Sequence, residues 1–193
     1  MPKVGMEPIR RAALVKAAIE RVGAAGSLDV TVAQVAQAAG VSAPLAHHYF
    51  GGKEALFEAA MRAILTEYGR EVRAELGRAE GHRGRVDAVI RASFSDLNFA
   101  PDVVAAWLVF YLQAHSRPAF RRLLRVYHRR LRSNLLTDLR PLVGSRAGEV
   151  ADTTGALIDG LYLRAALSEH PANGADAVAV LTRYLDTTLE SAA

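Results

Sequence analysis

Cysteine is absent from this 193-residue chain, and aromatic residues make up only 7% of it. The first absence excludes disulfides, thiolate metal sites and cysteine nucleophiles. Hydrophobic residues nevertheless reach 51%, and much of that share is alanine, which favours helix over strand. The chain is long enough for one or two small domains with a hydrophobic core. Together these features predict an all-α protein.

Long apolar runs are also lacking. No stretch of about 18 uncharged apolar residues could span a bilayer, and the N-terminus has no signal-peptide core. We therefore expect a cytoplasmic protein that does not associate with membranes.

The motifs of common enzyme classes are missing too. The chain has no nucleophile elbow, phosphate-binding loop, metal-binding His-Glu pattern or dinucleotide fingerprint. His47 and His48 are adjacent, a poor chelating pair on a helix, and His115 and His128 lie on different predicted helices. We expect no metal site, no cofactor and no catalytic residues. A helical enzyme without a recognised motif remains an alternative.

Charge is distributed unevenly along the chain. Residues 1–53 hold six Lys or Arg against three Asp or Glu, and residues 54–144 hold fifteen against ten. Residues 145–193 hold three against seven. An acidic C-terminal end after a basic remainder is the pattern expected if only one end meets phosphate.

The most informative stretch is TVAQVAQAAGVSAPLAHHYFGGKEAL, which begins at Thr31. Thr31 is a good N-cap and Gln34 completes a capping box, so a short helix should follow. Gly40 stands where a glycine ends such a helix, Ser42 can cap a second helix, and Pro44 falls in its first turn. Two short helices joined by a tight turn make a helix-turn-helix, whose second helix enters the DNA major groove. An ordinary αα-hairpin would show the same signals.

The same stretch resembles the signature of the TetR family: GVS, a helix ending in Tyr-Phe, then Lys53 and Leu56. The resemblance implies a helix-turn-helix DNA-binding domain followed by a helical ligand-binding and dimerisation domain. It also implies a dimeric repressor that a small ligand releases from DNA. The family's usual aromatic residue or His followed by His-Phe reads here as His48, Tyr49 and Phe50.

A narrower resemblance covers most of the chain. HYF, the opening MPKVGMEPIRR, and the stretches AAWLVFYLQAHSRPAFRRLL, RRLRSNLL and LIDGLYLRAAL are similar to one TetR subfamily. That subfamily represses glycine betaine synthesis from choline, which implies choline or a related compound as effector. SAPLAHHYF departs from the subfamily at Pro44, Ala46 and His47, so the operator sequence does not follow from it. A repressor with another hydrophobic or cationic ligand, or an interaction protein with a structural helix-turn-helix, remains an alternative.

Glycine and proline predict where the helices begin and end. A short arm with Lys3 precedes a first helix that Pro8 opens and that runs to about Gly26. A break is predicted around Gly81 and Gly84. The remaining helices are predicted over 53–78, 85–98, 101–115, 117–140, 147–168 and 173–190, with Pro171 between the last two.

The predicted division places a DNA-binding domain in residues 1–55 and the ligand-binding and dimerisation domain in residues 56–193. The segments 147–168 and 173–190 are rich in small and aliphatic residues. We expect them to pair with their symmetry mates as a four-helix bundle. The predicted contact residues are Ala156, Leu157, Leu161 and Ala165. Such a homodimer should bind an inverted repeat in double-stranded DNA.

Residues near the second helix of the motif are candidates for DNA contact. Hydroxyls and the Lys53 ammonium would reach phosphates, whereas Leu45, His47 and His48 would face base edges. By the family analogy Tyr49 packs partly inward. The full predicted set is Thr31, Ser42, Ala43, Pro44, Leu45, His47, His48, Tyr49 and Lys53.

A second candidate site combines aromatic residues with a carboxylate. A quaternary ammonium cannot donate hydrogen bonds, so its recognition takes aromatic faces and a nearby negative charge. The predicted effector residues are Phe94, Trp107, Tyr111, Asp159 and Tyr162. For any one of these residues, however, an aromatic stripe at helical spacing is more often simply part of the core. A structural hydrogen bond, or a pair with Arg164 of another subunit, would also account for Asp159.

Residues 121–136 form an arginine-rich run, RRLLRVYHRRLRSNLL. Such a run alone suggests nucleic acid or an anionic membrane. Its leucines and Tyr127 recur on one helical face, so we interpret it as an amphipathic helix with a solvated basic side.

Overall fold

The computed structural model describes residues 5–169 and 173–191, which form α-helices and no strand. The helices are α1 (Met6–Ala25), α2 (Val32–Ala38), α3 (Ala43–Phe50), α4 (Lys53–Leu76), α5 (Gly81–Ser93), α6 (Pro101–Ser116), α7 (Pro118–Val143), α8 (Ala147–Ala166) and α9 (Gly174–Glu190). A 3-10 turn, Gly144–Arg146, joins α7 to α8. The all-α prediction is confirmed. Lys3 and Pro171 lie outside the described residues.

The helix-turn-helix forms from the local signals that predicted it. The Thr31 hydroxyl oxygen accepts a hydrogen bond from the Gln34 backbone N–H at 3.2 Å, and the Gln34 side chain accepts one from the Thr31 N–H at 2.7 Å. Gly40 takes the left-handed conformation, with φ +65°, which ends α2 and starts the turn. The capping box and the motif are therefore confirmed.

Three local predictions need correction. Ser42 occupies the N-cap position of α3 but makes no side-chain capping hydrogen bond. Pro44, the second residue of α3, removes one of the two N–H groups that a cap normally satisfies. The predicted break around Gly81 and Gly84 falls earlier, because Gly81 begins α5 and Gly84 lies inside it. α7 also continues through Pro141, three residues past its predicted end.

The DNA-binding helices share one continuous hydrophobic core with the rest of the described chain. α1 packs on both α4 and α6, while α4 contacts α3, α5 and α7 as well. Leu14 and Val22 of α1 and Leu56 and Phe57 of α4 are fully buried. α1 is therefore in direct packing contact with both α4 and α6. Of the helices described, none is both long and apolar enough to span a bilayer.

α1 and α6 approach each other closely at Gly23. A Cβ atom at this position would lie 2.5 Å from the carbonyl oxygen of Asp102. We expect Gly23→Ala to force the helices apart and to lower the free energy of unfolding by about 1–3 kcal/mol. Urea denaturation measures this change. Gly84→Ala is the control, since its Cβ would meet open space. Equal stabilities of the two variants would contradict the close approach.

Candidate DNA-binding surface and effector site

α3 presents a narrow polar surface to solvent. Its one fully buried residue is Ala46, which anchors the helix against the core, whereas Pro44, His47 and His48 are exposed. Leu45 is half-buried on the edge of this surface. The helix therefore carries two imidazoles and an aliphatic side chain where a major-groove helix reads base edges.

The predicted phosphate-contacting residues surround α3. Thr31 and Ser42 are exposed, while Ala43 and Lys53 are half-buried. The Thr31 hydroxyl is already engaged in the α2 capping box. Thr31 would therefore contribute to DNA contact through its position at the start of α2, since its hydroxyl is not free.

Tyr49 faces the protein more than the solvent. The Arg11 guanidinium lies 5.2 Å from the centre of the Tyr49 ring and 5.3 Å from that of Phe50. Arg11 also pairs with Glu7 at 2.8 Å. This cation–π contact ties α1 to the end of α3. The four-residue spacing of Glu7 and Arg11 predicts their ion pair, but no sequence signal predicts the contact with the rings.

The five predicted effector residues belong to one connected cluster. The Trp107 ring lies 5.5 Å from Tyr111 and 6.3 Å from Tyr162, measured between ring centres. Tyr162 in turn lies 5.6 Å from Phe94. Asp159 joins the cluster through Tyr111, whose hydroxyl donates to its carboxylate at 2.8 Å. We call these residues, with Tyr68 and Tyr127, the aromatic cluster.

Three further residues of this region, Tyr68, Tyr127 and His128, were not predicted as effector residues from the sequence. Tyr127 lies 4.9 Å from Trp107 and 5.5 Å from Tyr68 between ring centres. The imidazole Nε2 of His128 lies 3.0 Å from Asp159. Helical spacing correctly marks Tyr127 as a core residue. It carries no information on which helix lies opposite.

Asp159 holds the polar centre of the cluster. Besides Tyr111, the Tyr127 hydroxyl donates to it at 3.4 Å. Burial, reinforced by the charge of Asp159, raises the pKa of Tyr111 well above its ordinary value. Burial raises the pKa of Tyr127 as well. Both phenols therefore stay protonated near neutral pH and act as donors to the carboxylate.

The end of the aromatic cluster away from Asp159 is fixed by hydrogen bonds to backbone carbonyls. The Tyr162 hydroxyl donates to the backbone carbonyls of Ser93 and Asn98. Phe94 packs edge-on against Phe99, with ring centres 5.0 Å apart. Phe94 and Tyr162 are thus linked to Asp159 only through other rings of the cluster, whereas Tyr111 contacts the carboxylate directly.

The cluster is closed. The space enclosed beside Trp107, Tyr111 and Tyr162 is about 10 Å³, at the lower limit of the roughly 10–15 Å³ that a single water needs. Larger spaces adjoin it. A cavity of about 600 Å³ between α4 and α7 is walled by Tyr68 and Tyr127, and a groove of about 450 Å³ between α7 and α8 includes Asp159. The carboxylate is therefore open to the groove, but a ligand can enter the space beside Trp107 and Tyr111 only if a ring moves.

Comparisons with known proteins agree with this architecture. The model of the bacterial regulatory proteins of the tetR family matches residues 14–60, and the model of the C-terminal domain of BetI-type transcriptional repressors matches residues 82–190. The chain is 50% identical over 190 residues to the HTH-type transcriptional regulator BetI of Brucella anthropi, covering 98% of both chains.

Solved structures show the same fold. A candidate transcriptional regulator from Pseudomonas aeruginosa PAO1 superposes with a TM-score of 0.81 at 27% identity, covering 95% of this chain and 91% of the other. A candidate regulator from Saccharomonospora viridis, solved in complex with choline, superposes with a TM-score of 0.79 at 19% identity. The matched shares are 93% of this chain and 96% of that one.

The fold, the exposed recognition helix and these matches define a DNA-binding transcriptional regulator rather than an enzyme. The chain belongs to the TetR family, and its C-terminal domain is of the BetI type. It is a repressor that binds a DNA operator and answers a small-molecule effector. Within residues 5–169 and 173–191, no group of His, Asp and Glu side chains could hold a metal ion.

Proposed function

We propose that this repressor controls genes of betaine synthesis and leaves its operator when choline, or a closely related quaternary ammonium, binds at Asp159. The observation that carries the proposal is a carboxylate that accepts hydrogen bonds from Tyr111 and Tyr127, whose rings both pack against Trp107. The BetI name of the Brucella anthropi relative and the choline in the Saccharomonospora viridis structure support it.

The chemistry of the cluster suits a trimethylammonium group. Such a group has no N–H to donate, so it is bound through ring faces and an opposite charge. Trp107 and Tyr127 are almost fully buried, which keeps competing water from the rings. Asp159, on α8, is half-buried and supplies the negative charge.

The closed cluster suggests how binding would be coupled to release. An ammonium at Asp159 competes with the Tyr111 hydroxyl, so ligand entry should separate α6 from α8. α6 presses on α1 at Gly23, and α1 holds the end of α3 through Arg11. The open state would therefore carry the recognition helix in a new position. Choline favours that state because it binds only there.

We further propose that residues 1–55 form the DNA-binding domain, that residues 56–193 form the effector and dimerisation domain, and that two copies read an inverted repeat. Base reading falls to Leu45, His47 and His48, and Lys53 contacts phosphate. The remaining proposed contacts are Thr31, Ser42, Ala43, Pro44 and Tyr49.

The test begins with selection of the operator from a random DNA pool. Fluorescence anisotropy then follows release of the operator by choline. The control ligand is 3,3-dimethyl-1-butanol, which has the shape of choline without its charge. We expect choline alone to release the DNA. Equal release by both compounds, or by neither, would contradict the proposal.

A second effector class is favoured by one observation. The cavity between α4 and α7, at about 600 Å³, is much larger than choline requires. Its walls include Tyr68, Tyr127 and Arg130. A larger hydrophobic ligand would fit there, whereas a cation would meet three arginines and no carboxylate. Operator release by such compounds, with no response to choline, would favour this alternative.

Exposed leucines support the proposed dimer. Leu167, directly after α8, is 70% exposed, and Leu163 and Val180 are 46% exposed beside it, around a groove between α8 and α9. Such a patch on the outside of two helices is typical of a subunit interface. Of the predicted contact residues, Ala156 is exposed, while Leu157, Leu161 and Ala165 are half-buried against their own core.

We expect Leu167→Glu to weaken dimerisation by at least about tenfold, because two charges would be buried across the two-fold axis. Sedimentation equilibrium measures the change. Leu112→Glu is the matched control, since Leu112 is 69% exposed on α6, away from this patch. A wild-type monomer at micromolar concentration would refute the dimer, and equal effects of the two variants would refute its placement.

A further inference from the structure

A cavity of about 670 Å³ lies where the DNA-binding helices meet the rest of the protein. Its walls come from α1, the end of α3, α4, the connection from α5 to α6 and the first turn of α6. None of the rings of the aromatic cluster lines it. We call it the junction cavity.

The walls of the junction cavity are mainly aliphatic. α1 contributes Ala12, Val15 and Ile19, and α4 contributes Ala63 and Ile64. On the opposite side, the α5–α6 connection supplies a leucine at position 97 that is 56% exposed although it borders this apolar space. An accessible apolar cavity of this size is suited to the hydrocarbon part of a small molecule.

The two basic side chains that line the junction cavity already have acidic partners on α1. Arg11 pairs with Glu7 at 2.8 Å, and Lys16 lies 3.8 Å from Glu20. The positive charge of Arg11 is further engaged by the rings at the end of α3. Both positive charges therefore already have a negative partner on α1, although the contact of Lys16 is the weaker of the two.

The acidic side chains are placed differently. Glu67 accepts hydrogen bonds from Arg70, but Asp102 has no hydrogen-bond or ion-pair partner anywhere in the described part of the chain. The lining as a whole has three carboxylates, Glu20, Glu67 and Asp102, against two cations. The unmatched charge is negative and lies beside an apolar space.

We propose that the junction cavity binds an amphipathic organic cation, with its hydrocarbon chain between α1 and α4 and its charged end at Asp102. The site also borders the effector region. The buried Asn98 lines the junction cavity, and its backbone carbonyl accepts the Tyr162 hydroxyl at 3.0 Å. A ligand here touches both the connection behind the aromatic cluster and the helix that holds α3.

The probe is n-decylammonium, titrated into the full chain by calorimetry with choline present in excess. The comparison ligands are 1-decanol, which lacks the charge, and decanoate, which reverses it. We expect decylammonium to bind most tightly and decanoate at least about tenfold more weakly. Decanoate binding as tightly as decylammonium would overturn the proposal.

Two pairs of variants locate the probe. Ala12→Phe fills the cavity from α1 and should weaken decylammonium binding about tenfold, whereas Ala24→Phe, exposed on the same helix outside the cavity, should not. Asp102→Asn should weaken decylammonium binding about three- to fivefold and leave 1-decanol binding unchanged. Asp96→Asn, exposed on the adjoining connection, is its control.

Equal affinities of the Ala12 and Ala24 variants would overturn the placement. Displacement of decylammonium by choline would also overturn it, because the probe would then occupy the aromatic cluster. If choline does not bind at all, the proposed effector is wrong. The comparison of Ala12→Phe with Ala24→Phe then still tests whether decylammonium binds in the junction cavity.

Discussion

Replacing Asp159 with asparagine is expected to shift the response to about 30-fold higher choline concentrations while leaving operator affinity within about twofold of wild type. Asparagine keeps the volume and one acceptor oxygen, so Tyr111 and Tyr127 retain a partner. It removes the charge that would face the ammonium. Loss of a charged partner costs about 2 kcal/mol, which weakens choline binding about 30-fold. Calorimetry gives the choline affinity, and fluorescence anisotropy gives the operator affinity.

Asp152→Asn is the matched control for this change. Asp152 lies two turns earlier on α8, borders the same groove and pairs with Arg132 at 2.6 Å. It does not contact the rings in the described structure. We expect the choline response of this variant to be normal. An equal loss in both variants would mean that the groove, and not the aromatic cluster, binds the effector.

Trp107 provides an independent check on the ring faces. Trp107→Phe keeps a smaller aromatic face and should weaken choline binding about three- to tenfold. Trp107→Ala is less informative, because removal of a buried Trp typically costs about 3–5 kcal/mol of stability. Folded variants of Trp107, Tyr111 and Asp159 that all respond normally to choline would refute the effector site. The DNA-binding function would be unaffected.

The second large effect is expected at α3, where substitutions should separate affinity from specificity. Lys53→Ala should weaken binding to every sequence alike and reduce the salt dependence by about one unit per subunit, because a phosphate contact is lost. His47→Ala or Leu45→Ala should instead change the preferred bases, by about 1–3 kcal/mol at the contacted position. Selection from a random pool, followed by titration at several salt concentrations, measures both quantities.

Lys16→Ala is the control for lost charge in this experiment. Lys16 is an exposed lysine of α1 that pairs weakly with Glu20. We expect its removal to leave the base preference and nearly all of the salt dependence unchanged. The assignment of α3 fails if substitutions at Leu45, His47 and Lys53 all leave operator binding unaltered.

The sequence by itself determined the features that depend on neighbouring residues. Thr31 and Gln34 form the predicted capping box because both partners lie within one turn. Gly40 ends α2 because only a residue without a side chain adopts its left-handed conformation at low cost. The predicted boundary between α4 and α5 was misplaced. Glycines at 81 and 84 suggested a break, but the chain turns earlier, between the end of α4 at Leu76 and the start of α5 at Gly81.

Only the tertiary structure decided which side chains meet across helices. Asp159 bonds to Tyr111, 48 residues away, and to His128, 31 residues away. Gly23 meets Asp102 because α1 crosses α6 at that point. Helical periodicity gives the face on which a residue lies, but not the crossing angle or the sliding of one helix along another. Those two quantities fix every contact in the aromatic cluster and the junction cavity, so no pattern within a single helix could have predicted them.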